Sequence, residues 1–143
     1  MEELITKQPE RKVVVKHDGF QHCSAERLPD GNIVYLDCPY TGKGDEFSPT
    51  NLVEAGLAGC MLLSMGTFAI HSGLDVSGIC IEVKFNSVGT ANMRFDRIDI
   101  KVNMPEGLSH KDRKRLQGAA ELCPIKHSFS ESIPINVEWI YPE

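Results

Sequence analysis

The run Ser48 to Gly73, SPTNLVEAGLAGCMLLSMGTFAIHSG, constrains this chain more than any other stretch. It opens with the signature of a helix start: a serine whose hydroxyl can accept a free backbone N–H, then a proline at the first helical position, where no N–H is needed. Gly73 supplies the stop, because only glycine enters the left-handed conformation without steric cost. Between those limits the apolar residues Leu52, Val53, Leu57, Met61, Leu62, Leu63, Met65, Phe68 and Ile70 occupy nearly every face. A helix that is apolar all round is predicted to be buried on all sides. Ala55, Gly56, Ala58 and Gly59 let another backbone come close. The apolar part, Ala55 to Ile70, is broken by glycines, Ser64 and Thr67, and falls short of the ~20 residues that span a bilayer. A core helix is expected, with no membrane partner.

The flanking sequence has the other period. Lys12 to Val15 is β-branched, Gly19 marks a turn, and Phe20 to Arg27 forms a returning strand. Pro29-Asp30-Gly31 is a tight turn, and Asn32 to Cys38 is a third strand of an antiparallel meander. Pro39 to Phe47 is a loop. After the helix come two long strands, Ser77 to Asn86 and Met93 to Asn103, the first alternating Ile79, Ile81, Val83 and Phe85 against Cys80, Glu82 and Lys84. The second slips near Asp96, as a bulge would. Ser109 and Asp112 form a capping box for a second helix, with Leu116, Ala119, Ala120 and Leu122 inward. Pro124 begins a short further turn through Phe129, and Ile135 to Tyr141 is the closing strand. The reading is one α+β domain over residues 1–143, in the order βββαββαβ.

With 41% hydrophobic and 24% charged residues the chain is of ordinary globular composition. Its net charge of −5 argues against DNA, RNA and anionic membranes as partners. The basic run from His110 to Arg115 reads as a solvated helix face. The N-terminal MEELITKQPERK lacks the apolar stretch of a secretory signal. Together with five cysteines, an odd number without scaffold spacing, this points to a cytoplasmic, reducing setting.

Taken singly, each cysteine is best explained as a small buried hydrophobe. Cys38 and Cys80 are read as packing residues. Cys60 lies inside the apolar helix. Cys123 lies at a helix boundary beside a proline, where backbone N–H groups can stabilise a thiolate. Cys123 and His127 have half the spacing of a metal site, but no second ligand pair accompanies them, so neither metal nor cofactor is expected. Ser48, Ser64 and Ser128 lack the glycine pattern of a nucleophile elbow.

The segment SPTNLVEAGLAGCMLLSM, two long strands, a charged helix and ELCPIKHSF before a final strand together resemble the OsmC/Ohr family of osmotically induced and organic-hydroperoxide-resistance proteins. The resemblance is clearest from Ser48 onward. It implies antiparallel sheets wrapped around two central helices in an intertwined homodimer. It also implies that Cys60 attacks the peroxide O–O bond and that Cys123 resolves the sulfenic acid as a disulfide. An organic hydroperoxide would then be the substrate, and an external dithiol the reductant. One departure stands out: peroxidases of the family carry a glutamate just after the helix-opening proline, paired with an arginine. Here Thr50 and Asn51 follow Pro49. Glu54, one turn along, is a possible substitute, although solubility is the reading favoured for it, and Arg27 is the candidate arginine. The alternative is a catalytically weak dimer that binds a small apolar or electrophilic ligand at the subunit interface.

Overall fold

The computed structural model describes residues 11–142, so most of the polar N-terminal segment read above lies outside the described residues. The chain divides into two compact units, one through Leu52 and one from Val53.

The first unit contains a three-stranded antiparallel sheet: β1 (Lys12–Gly19), β2 (His22–Leu28) and β3 (Ile33–Asp37), in spatial order β1-β2-β3. The β1–β2 turn passes through Gly19, Phe20 and Gln21, all at positive φ. All eight residues of β1 are exposed, among them Val13, Val14 and Val15. At the unit's end, α1 (Pro49–Ser72) starts with a reciprocal cap. The Asn51 N–H donates to Ser48 Oγ at 3.1 Å, and the Ser48 N–H donates to Asn51 Oδ1 at 3.0 Å. Gly73, at φ 68°, ends the helix as expected.

The second unit holds the core. Its sheet, in order β4-β5-β6, is built from β4 (Cys80–Val88), β5 (Arg94–Asn103) and β6 (Ile135–Ile140). The helices α2 (His110–Ala120) and α3 (Pro124–Ser128) lie between β5 and β6 in sequence. β4 and β5 pair antiparallel, with Asp96 left over where the register shifts between Asn86 and Ser87, the bulge expected there. β5 and β6 pair parallel, so the sheets are not purely antiparallel as the resemblance suggested. The reason is the connection: two helices intervene, and a helical crossover returns the chain in the same direction whereas a short turn reverses it. On the wet face, Asp99 of β5 accepts from the side-chain amides of Asn86 on β4 at 2.9 Å and Asn136 on β6 at 3.2 Å, tying the three strands together.

Leu57, Met61 and Met65 of α1 pack with Phe85 of β4, Ile98, Ile100 and Val102 of β5, and Leu116, Ala119 and Ala120 of α2. The capping box of α2 forms as predicted, with the Asp112 N–H donating to Ser109 Oγ at 3.1 Å. Leu122, expected inward, is 74% exposed, because α2 stops at Ala120 and Leu122 falls in the following turn. The basic run is not simply solvated: Arg113 lies over the Tyr141 ring at 4.2 Å and Arg115 over Phe68 at 4.8 Å.

The expectation that α1 is buried on all sides also needs correction. By length and composition alone its 24 residues are enough to cross a membrane, yet Leu57, Met61, Met65 and Ala69 are fully packed, as in a core helix. Leu63 and Ile70 are instead 74% and 82% exposed. The reason is that one sheet and one helix of the same chain cover only one side of a helix that is apolar around its whole circumference.

Candidate thiol site

Cys60 sits midway along α1, half-buried, at the seam between the packed side and the open side. Cys123 is fully buried. It is the N-cap of α3: Pro124 occupies the first helical turn without needing a hydrogen-bond partner, and the Lys126 N–H donates to Cys123 Sγ at 3.4 Å. Cys60 packs against the core cluster to which Cys123 belongs. Burial pushes the Cys123 thiol above its ordinary range, and the influence of Cys60 pushes the same way, against the pull of the Lys126 and Ile125 N–H groups. Of the two, Cys60 is the more exposed sulfur.

The surroundings differ in the same sense. Cys60 lines a shallow groove of about 490 Å³ formed by Gly56, Gly59, Leu63, Ser64 and Ile125 among others. The glycines leave its floor open; a Cβ at Gly59 would meet nothing within 4 Å. Ser64 contributes no free hydroxyl, because its Oγ donates to the Cys60 carbonyl at 2.8 Å. A second hollow of about 290 Å³, lined by Pro124, Ile125, Ser128 and Phe129, is almost entirely apolar. Ile125 borders both. His127 is exposed on α3, and among the described residues no group of histidine, cysteine and carboxylate side chains is arranged to hold a metal ion.

The residues expected to activate the thiol have other work. Arg27 is clamped by Asp30, its Nε lying 2.9 Å from each carboxylate oxygen, with a further ion pair from its terminal nitrogen. Glu54 is half-buried, contrary to the solubility reading, and its Oε2 accepts the Phe85 N–H at 3.1 Å. A signal for this was available, since Glu54 is the only formally charged residue between Pro49 and Ser72 apart from the titratable His71, and a lone charge in an apolar helix needs a partner. The contact of Phe129 with Phe85, at 5.7 Å between ring centroids, had no sequence signal.

Two other cysteines depart from the packing reading. Cys80 opens β4 on its wet face and is exposed. Cys38 lies in a tight turn where the Thr41 hydroxyl and then the Thr41, Tyr40 and Gly42 N–H groups draw its thiol below the ordinary range. That turn needs Gly42, because a Cβ there would come within 2.7 Å of the Cys38 carbonyl oxygen.

The α+β frame that holds these thiols, with two three-stranded sheets and a long core helix, is one that known proteins share. Residues 42–138 match the family of OsmC-like proteins, and the chain belongs to that family. A Psychrobacter arcticus protein named for osmotic stress induction and a detoxification response is 29% identical, with a TM-score of 0.83 over 93% of this chain and 98% of that one. An OsmC-like protein of Mycoplasma pneumoniae shares the fold at 17% identity, with a TM-score of 0.74 over 96% of this chain and 99% of its own. The organic hydroperoxide resistance protein OhrB of Bacillus subtilis shares it at 18% identity, with a TM-score of 0.68 over 92% and 98%. No curated protein matches the chain in sequence.

Proposed function

We propose that this protein is a thiol peroxidase acting on organic hydroperoxides, with Cys60 the peroxidatic and Cys123 the resolving cysteine. The observation that carries the reading is that Cys60, which lines an open groove, packs against the same core cluster as the buried Cys123. The Cys60 thiolate would attack the distal oxygen of ROOH. The O–O bond breaks, the leaving alkoxide takes a proton to become ROH, and Cys60 becomes a sulfenic acid. Cys123, as its thiolate, then attacks that sulfur, forming the Cys60–Cys123 bond and expelling hydroxide, which leaves as water with the proton Cys123 gave up. An external dithiol returns both sulfurs to thiols. The apolar hollow beside Cys123 suits an organic tail better than it suits hydrogen peroxide. The relative named for organic hydroperoxide resistance points the same way.

We also propose that two copies associate through the open side of α1 and that the protein works in the cytoplasm. Exposed Leu63 and Ile70 on α1 support association.

A specific observation favours a second reading. Thr50 stands where the activating glutamate is expected, Glu54 is bonded to Phe85, and Arg27 is bonded to Asp30. A weakly catalytic dimer that holds a small apolar or electrophilic ligand would show this departure.

Counting thiols before and after treatment with cumene hydroperoxide separates the two readings. The peroxidase reading expects the loss of two of the five thiols as a Cys60–Cys123 disulfide, with continued peroxide consumption once a dithiol is added. An unchanged thiol count under excess peroxide would sink it. Thermal stabilisation by an apolar ligand without thiol loss would support the second reading.

A further inference from the structure

Among the described residues β4 is the outer strand of its sheet, so the Phe85 N–H turned away from β5 has no ladder partner there. Glu54 Oε2 accepts from that N–H at 3.1 Å and thereby ties α1 to the sheet edge six residues before Cys60. The side chain of Phe85 is buried, and its ring meets Phe95 edge-on at 4.9 Å and Phe129 edge-on at 5.7 Å. Phe129 is the C-cap of α3, the five-residue helix whose N-cap is Cys123. The contacts therefore form a ring: from Cys60 along α1 to Glu54, across to Phe85, on to Phe129, and back through α3, whose N-cap is Cys123 and whose Ile125 lines the same groove as Cys60.

We infer that Glu54 is a positioning residue for the thiol pair, acting through Phe85 and Phe129 to hold Cys123 within reach of Cys60. A helix of five residues has little stability of its own. Its placement depends on what its ends touch, and the Phe85–Phe129 contact fixes one end. If the Phe85 N–H loses its acceptor, an orphaned polar group at the edge of the core is relieved by moving β4 outward. The aromatic contact then loosens, and α3 with it. Neutralising the carboxylate should matter little if an acceptor oxygen remains, whereas removing the acceptor should matter at the disulfide.

The inference rests on Cys60 and Cys123 forming a redox pair, and its test needs no peroxide. Glutathione disulfide serves as the oxidant. The Cys60 thiolate attacks it and releases one glutathione. Cys123, having lost its proton, attacks the Cys60 sulfur of the mixed disulfide and releases the second, so that two glutathione thiols and one intramolecular disulfide result. The equilibrium against the glutathione couple measures how well the two sulfurs are held together.

Glu54→Leu should lower that equilibrium constant roughly tenfold, the size of one hydrogen bond to a charged group. Glu54→Gln, whose side-chain oxygen can still accept from Phe85, should restore it to within about twofold. Phe129→Leu breaks the ring at its other end and should lower the constant as well, which keeps the inference testable should Glu54→Leu fold poorly. In the Glu54→Leu/Phe129→Leu double variant the losses should be less than additive, because each breaks the same ring. A Glu54→Leu chain that is less stable to heat but has an unchanged disulfide equilibrium would overturn the inference, and so would a Glu54→Gln chain that behaves like Glu54→Leu. If the unmodified chain forms no intramolecular disulfide at all, the thiol-pair reading falls and this inference with it.

Discussion

The two sides of α1 are made of similar residues and face different worlds. On one side Leu57, Met61 and Met65 are wholly enclosed by β5 and α2. On the other, Gly56, Gly59 and Leu63 form an open groove, and Ile70 stands almost free of cover. The difference teaches that hydrophobicity sets whether a helix wants to be covered, while the supply of partners within the chain sets how much of it is. Cys60, at the seam, packs against the cluster that holds Cys123 and has an approach from the groove.

If the seam is where chemistry occurs, the largest expected effect is there. Cys60→Ser should abolish dithiol-supported consumption of cumene hydroperoxide, because an alcohol is not ionised near neutral pH. Cys123→Ser should still consume one equivalent and then stall as a sulfenic acid trappable by dimedone. Full turnover by Cys60→Ser would show that the seam was misread.

Next come the two sides themselves. Met61→Ala should destabilise the chain by about 2–5 kcal/mol in urea unfolding, the usual cost of a cavity in a closed core. Leu63→Ala, on the open side, should cost no more than about 0.5 kcal/mol within one chain. Equal losses would erase the distinction. Leu63→Glu sharpens it: sedimentation should show association in the unmodified chain and a shift toward single chains in this variant, since a carboxylate cannot be buried unpaired.

The smallest effect is in pH. Because the folded state holds Cys123 above its ordinary range, the folded chain keeps a proton there that the unfolded chain has already lost. Stability from this group should therefore be complete below the ordinary thiol range and decline as pH rises through and above it. Cys123→Ala should remove that part of the alkaline slope in urea midpoints taken from pH 7 to 10, and an unchanged slope would place its origin elsewhere.

Most of the frame was legible because it is local. Ser48-Pro49, Gly73, Ser109 with Asp112 and the surplus residue at Asp96 each act over a few positions, and each does what its chemistry dictates. The parallel pairing of β6, the exposure of Leu122 and the uncovered side of α1 were not legible, because each depends on which distant element arrives alongside. The site divides in the same way. Neither cysteine announces itself singly, and their placement at one core cluster is a product of the fold. Glu54 is the instructive case: its isolation among apolar residues foretold a partner, but only the structure identifies that partner as a backbone N–H on β4.

The parallel pairing of β5 with β6 carries a consequence for synthesis. Asp99 and Asn136, which meet across these strands, are 37 residues apart in the chain. As the chain leaves the ribosome, β4 and β5 can zip together early, while β5 offers its far edge, with Ile98, Ile100 and Val102, to any passing strand until β6 emerges. Non-local pairings of this kind close slowly. The nascent protein therefore passes through an interval in which the strand that carries Ile98, Ile100 and Val102 into the core is half-paired, and chaperone capture or aggregation competes with completion of the sheet.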